Sequence, residues 1–309
     1  MPSLRFLARR LSDRTFGTQF DRALARTKGG PQPRFLFFWN RGLGDIAVGL
    51  VPLFLAIRSR WGEAVIEVIT RGELRTAFEL TGVNAIHTIP GLEREMRVDM
   101  SHAAAALGID LSRFAAVFDY PDPNRWLEGR RTKYPPKLAW KAEWDALASR
   151  FTTIPGDGRV IAAHVNAETA AYYGYVKDWP ASSWQALFDR YAARPDVHWV
   201  LFGRSSEPAF SGPRIIDLRG ETTFPQLMSL VRTRCNALVA PDSGVLTMAY
   251  YLDADFAIDV VSLWADPRQG ILLQGCPSPN PRLRHTPLVA PGEDLRNLTV
   301  DAVAAALGD

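Results

Sequence analysis

At 309 residues the chain exceeds the usual size of one domain and predicts two. With 47% apolar and 22% charged residues it has an ordinary globular composition, which excludes a disordered or low-complexity protein. The net charge of +3 is unevenly spread: residues 1–34 carry eight basic side chains against Asp13 and Asp21, so this segment holds +6 and the remainder −3.

Two cysteines, Cys235 and Cys276, cannot build a disulfide framework and favour a reducing, cytoplasmic compartment. No apolar run reaches the roughly 18 residues of a membrane-spanning helix, and the first residues show no secretory h-region. Residues 1–33 form a basic N-terminal arm. Leu4, Leu7 and Leu11 fall at helical spacing with arginines between them. The arm reads either as a helix lying on an anionic membrane surface or as a solvated arm, or a helix packed on its own domain.

The first strand is "RFLFFW", 34–39, followed by "NRGLGD" and a long apolar-periodic helix over 45–60. Glycines at 42 and 44 let the backbone approach a ligand, and the helix N-terminus behind them favours anions. The pattern lacks the third glycine of a dinucleotide fingerprint and the Gly-Lys-Ser/Thr of a P-loop. Asp45 at the junction can cap the helix, adjoin a phosphate or aim a carboxylate into a cleft. Strands at 64–70, 85–90 and within 113–120, with a helix at 72–81, continue a βαβα alternation that predicts a parallel sheet. A proline- and charge-rich break (120–136) and a tryptophan-rich helical stretch, "KLAWKAEWDALASRF", close this half. Its basic cluster includes Arg130 and Arg131, which read as a solvated face or as a weak acceptor contact beside Arg41.

The pattern then restarts, with a boundary near "TTIPGDG", 152–158. Strands are expected at 159–165, 198–203, 214–218, 236–241 and 256–264, and helices at 181–193, 224–233 and 243–252. The chain is thus read as α/β, with an N-terminal Rossmann-like domain over 34–155 and a C-terminal one over 156–309. A site is expected where the carboxyl ends of the two sheets face each other. Three stretches of this second half carry polar groups beyond strand ends. "NAETAAYYG" leads to Lys177, which suits a phosphate as a point charge, and Trp179-Pro180 enters a helix. "LFGRSSE" ends a strand at Gly203 and places Glu207 where a carboxylate can accept from ribose hydroxyls. "PDSG" sets Asp242, Ser243 and Gly244 at a helix start.

Taken in order, these stretches resemble glycosyltransferase family 9, the lipopolysaccharide heptosyltransferases. The resemblance spans roughly residues 34–270. It rests on Gly44, Asp45 and Pro52, on Lys177, Trp179 and Pro180, on Gly203 and Glu207, on Leu218 and Gly220, and on Asp242, Ser243 and Gly244. It implies a GT-B fold, two Rossmann-like domains facing across a cleft, and an inverting, metal-independent transfer with no cofactor besides a nucleotide-sugar donor, ADP-heptose-like. By that carry-over Asp45 is the general base, Lys177 and Ser243 meet the diphosphate, Glu207 the ribose, and Asp242 the donor sugar. The acceptor would be a lipid-linked glycan at the inner face of the membrane, which gives the basic arm a role. Two departures stand out: Thr247 replaces the family's histidine, and the loop before Lys177 is long and carries Tyr172 and Tyr173. A non-catalytic nucleotide-sugar-binding protein, or a GT-B epimerase or hydrolase, would share these motifs. Nucleic acid is not an expected partner, because the basic patches lack any recognition motif.

Overall fold

The computed structural model describes residues 17–27, 30, 32–167 and 177–308. The chain divides into two compact units, Met1–Pro135 and Pro136–Asp309.

The N-terminal unit is built on a four-stranded, wholly parallel sheet of order β3-β2-β1-β4. Its strands are β1 (Arg34–Trp39), β2 (Val65–Arg71), β3 (Ala85–Ile89) and β4 (Ala116–Phe118). Both faces of β1 are apolar because both are covered, as a parallel sheet requires. On one face Phe37 meets Phe54 and Phe118, and Phe118 meets Trp126. On the other, Leu36 and Phe38 pack with Ile69 and Leu92. Each such aromatic or aliphatic side chain contributes about 1.5–3 kcal/mol by its burial.

Helix α1 (Gln19–Arg26) belongs to this unit. A reciprocal capping box between Thr18 and Asp21 starts it. Phe20 stacks on Trp126 at 5.6 Å, and Asp21 takes both arms of the Arg130 guanidinium at 2.7 and 2.9 Å. This stretch of the basic arm therefore packs on its own unit. The Leu4, Leu7 and Leu11 periodicity lies outside the described residues.

The helix expected over 45–60 forms in two pieces, a π-helical turn over Ile46–Leu50 and α2 (Val51–Arg60). Pro52 has no N–H to donate, and the Val51 N–H reaches back to the Ile46 carbonyl, which widens the turn. Gly49, within that turn, permits close packing: a Cβ there would stand 2.9 Å from Pro123 Cβ.

The C-terminal unit holds a six-stranded parallel sheet, order β12-β11-β9-β6-β7-β8. After the short β5 (Leu138–Ala139) come β6 (Arg159–His164), β7 (Val197–Phe202), β8 (Ile215–Asp217), β9 (Ala237–Pro241), the short β10 (Leu252–Asp253), β11 (Ile258–Trp264) and β12 (Leu283–Val289). β5 and β10 pair with each other in a separate ladder. The tryptophan-rich stretch is not an α-helix. Residues Ala142–Arg150 wind as 3₁₀ turns, held by the helix Phe224–Thr233. The Ala148 N–H donates to Ser229 Oγ at 3.1 Å, Arg232 pairs with Asp145, and Trp144 meets Phe224 edge-on. That packing places residues 136–155 with the second unit, so the observed division falls ahead of the boundary expected between 155 and 156. A core of Ile161, Trp179, Trp184, Phe188, Trp199, Val261 and Val303 fills one face of the large sheet.

Candidate active site

Each unit presents polar side chains just beyond the carboxyl ends of its strands. In the N-terminal unit the turn from β1 brings Asp45 into helical backbone, φ −65° and ψ −17°, with no cap bond from its side chain. The residue is exposed, so the capping reading does not describe it. Gly42 makes room for it, since a Cβ at that position would sit 2.5 Å from Asp45 Oδ2.

Arg41, half-buried, ties three loops together at this edge. It pairs with Glu95 at 3.2 Å, donates to the Pro121 carbonyl at 3.4 Å and lies 4.9 Å from the Tyr120 ring centroid. Burial opposes its charge, but Glu95, Tyr120 and Asp45 together hold its pKa above the usual value. Glu95 adopts the rare positive φ of 60° for a non-glycine residue. Its loop hangs on buried Asn40, whose amide donates to the Glu93 and Met96 carbonyls at 3.0 and 2.7 Å. Tyr120 donates to Glu95 at 3.3 Å while remaining 45% exposed. Arg131 donates to the Asn124 side chain at 3.0 Å. Burial pulls its pKa down, while the fields of Asp45 and Glu128 push it back up. Arg130, which the sequence grouped with Arg131, is occupied by Asp21.

In the C-terminal unit the structure brings two expected residues together. Lys177 Nζ lies 2.5 Å from Asp242 Oδ2, with side chains 19% and 14% exposed. Asp178, next to Lys177, has its pKa raised by burial, partly offset by the Ala167 N–H and by Lys177. Ser243 caps the helix Gly244–Tyr250 by accepting from Leu246 N–H at 3.2 Å. Thr247 is buried and donates to the Ser243 carbonyl at 3.0 Å. Gly203 follows β7, and its backbone carbonyl accepts from the Gly220 N–H at 2.8 Å. Glu207 is exposed, and its carbonyl accepts from Asn166 at 3.2 Å. The tyrosines at 172 and 173 lie outside the described residues.

No family model and no curated protein sequence matches this chain. Solved structures do. The ADP-heptose LPS heptosyltransferase II of E. coli aligns over 89% of this chain and 97% of its own, at 19% identity and a TM-score of 0.57. A glycosyl transferase family 9 structure from Veillonella parvula aligns over 89% and 96%, at 14% identity and a TM-score of 0.60. The E. coli heptosyltransferase WaaC with ADP aligns over 89% and 97%, at 15% identity and a TM-score of 0.51. The chain has the GT-B fold. The structures that share it include the family 9 heptosyltransferases that the motif order resembles.

Within this GT-B fold, several residues do work that the motifs do not announce. Arg219 stands between Leu218 and Gly220 with no exposed side-chain surface. It grips Asp217 and donates to the Pro208 carbonyl at 2.8 Å, which pins the loop carrying Glu207. Gly270, at a positive φ of 48°, lets the backbone pass against Asp242: a Cβ there would stand 2.7 Å from Oδ1. Glu95 and Tyr120 support Arg41 from separate loops. Only the arginine between the family's leucine and glycine had a sequence signal. The others are contacts across distant segments. Among the described residues, no group of three or more His, Cys, Asp or Glu could hold a metal ion, and no helix is long and apolar enough to cross a membrane.

Proposed function

We propose that this protein is a glycosyltransferase that moves a sugar, heptose-like, from a nucleotide donor of ADP-heptose type to a hydroxyl of a lipid-linked glycan. The observation that carries the reading is Asp45, an exposed carboxylate released from capping at the carboxyl end of the first strand of a GT-B fold. A sugar hydroxyl is a weak nucleophile at neutral pH, and a positioned carboxylate assists it by roughly 10²- to 10⁴-fold. Asp45 takes the hydroxyl proton as the acceptor oxygen bonds to the anomeric carbon from the face opposite the leaving diphosphate. The electron pair of the broken C–O bond leaves with the diphosphate, and Lys177 offsets its charge. Glu207 holds the ribose and Asp242 the transferred sugar. The Thr247 hydroxyl gives its proton to a backbone carbonyl and does not offer it to the donor. Arg41 and Arg131 beside Asp45 suit an acceptor that bears acidic groups. The basic N-terminal arm suits attachment to an anionic membrane at its cytoplasmic side.

The test is thermal unfolding with ADP, GDP, UDP, dTDP and CMP, followed by a transfer assay with the sugar donor of the best nucleotide. A ligand at 100 times its Kd adds about 2.7 kcal/mol to the folded state. Stabilisation by ADP with transfer to a heptose-accepting glycan is the expected result. Protein stabilised by none of the five nucleotides would overturn the reading.

A further inference from the structure

The lysine offered to a diphosphate is already bonded to a carboxylate. Lys177 and Asp242 meet at 2.5 Å in surroundings that leave less than a fifth of either side chain exposed. Asp242 is also held from behind. The Gly270 backbone packs so closely that a Cβ would come within 2.7 Å of Asp242 Oδ1 and 2.8 Å of the Trp264 ring. Trp264 is itself fully buried and fixed by its indole N–H on Ser262 at 2.6 Å. The Gly270 backbone and the Trp264 ring thus leave little room behind the carboxylate. It stands at the end of β9, beside β6, at the point where the strand order reverses and nucleotides bind in open α/β sheets.

We infer that Asp242 determines a specificity between the nucleotide-sugar donor and the nucleoside diphosphate product, and that it favours release of the product. The inference rests on the donor-site reading given above. A diphosphate approaching Lys177 meets a fixed charge of its own sign and must share or displace the carboxylate's cation. A bare nucleoside diphosphate brings only anionic oxygens to Asp242 and leaves that loss uncompensated. A nucleotide-sugar brings hydroxyl donors, which a carboxylate accepts, and so offsets it. Asp242 thus penalises the product more than the donor.

The experiment is calorimetric titration of wild type and Asp242→Asn with three ligands. These are whichever of ADP, GDP, UDP and dTDP stabilises the wild type most, its parent nucleoside, and the matching nucleotide-sugar. Removing the competing charge should tighten the diphosphate about tenfold. It should leave the nucleoside unchanged and weaken the nucleotide-sugar, so that the two charged ligands move in opposite directions. Adding Lys177→Gln to the variant should abolish the gain. If Asp242→Asn fails to fold, Asp242→Ser carries the same test. Variants that bind the diphosphate no tighter than wild type, while wild type binds it, overturn this inference alone. Wild type that binds no nucleoside diphosphate overturns the donor-site reading, and the inference with it.

Discussion

Both units carry an aspartate where a strand runs through a turn into a helix, and the two aspartates meet different fates. Asp45 is exposed, lies in helical backbone and makes no cap bond. Asp242 is mostly buried and paired with Lys177. The difference lies in the neighbouring residues. After Asp242 the chain places Ser243, whose hydroxyl takes the Leu246 N–H and frees the carboxylate for Lys177. After Asp45 the chain runs directly into the π-helical turn, where Ile46 N–H is bonded back to the Leu43 carbonyl at 3.1 Å. In neither turn does the aspartate side chain act as the cap, and in the C-terminal unit the serine that follows it does. One is exposed and favours the charge of two arginines; the other is mostly buried against a lysine.

The largest expected effect breaks this comparison at its exposed member. Asp45→Asn preserves shape and removes the proton acceptor, so transfer should fall by roughly 10²- to 10⁴-fold. On the proposed assignment of the nucleotide to the other unit, nucleotide binding should be unchanged. Steady-state transfer and calorimetric titration on the same preparation would check both. Retained turnover would reduce Asp45 to a surface residue and remove the observation that carries the functional reading.

Acid stability sharpens the comparison between the units. Burial pushes the pKa of His164, at the end of β6, down to about 4 from 6.5, and burial does the same to His285 on β12. In the N-terminal unit, by contrast, His87 is half-buried and His102 exposed. An unfolded histidine binds its proton below pH 6.5, while His164 and His285 in the folded unit do not until about pH 4. The unfolded state therefore holds more protons across that window, and stability falls as pH drops through it. His164 contributes about 3 kcal/mol to the loss over the full window, the more exposed His285 less, and neither contributes above it. Urea unfolding as a function of pH should show the C-terminal unit failing first. His164→Leu removes a ring whose Nδ1 is buried without a hydrogen-bond partner, and should flatten its share of the slope.

How far the sequence reaches can be judged from particular elements. The core strands are legible, because β1 is a short aromatic run and β9 a short apolar run, each followed by turn signals and covered on both faces. Strand β12 is not: "LRHTPLV" is an edge strand with alternating exposure and a proline, features that demote a run on pattern alone. The stretch 142–150 has helical composition, yet its shape is set by Ser229, Arg232 and Phe224, which no local window contains. The site divides in the same way. Asp45, Lys177 and Asp242 are marked by local motifs at strand ends. That Lys177 and Asp242 meet, that Gly270 packs behind Asp242 and that Glu95 and Tyr120 brace Arg41 are tertiary facts, and spacing along the chain cannot encode them.

The smallest effect isolates the capping claim itself. Ser243→Ala removes the acceptor of the Leu246 N–H and should cost about 1 kcal/mol, the usual worth of an N-cap. The methyl group fits where the hydroxymethylene stood, so packing changes add little. Asp45→Ala, at the corresponding point of the other unit, removes a residue of similar capping rank by type but no cap bond. Its stability should stay within about 0.5 kcal/mol of wild type, as for most exposed positions. Urea unfolding midpoints for the two variants decide the matter, because both substitutions truncate at Cβ and only Ser243→Ala removes a cap bond. Equal losses would mean that Asp45 supports the helix start as strongly as Ser243 does, and the contrast between the two turns would be lost.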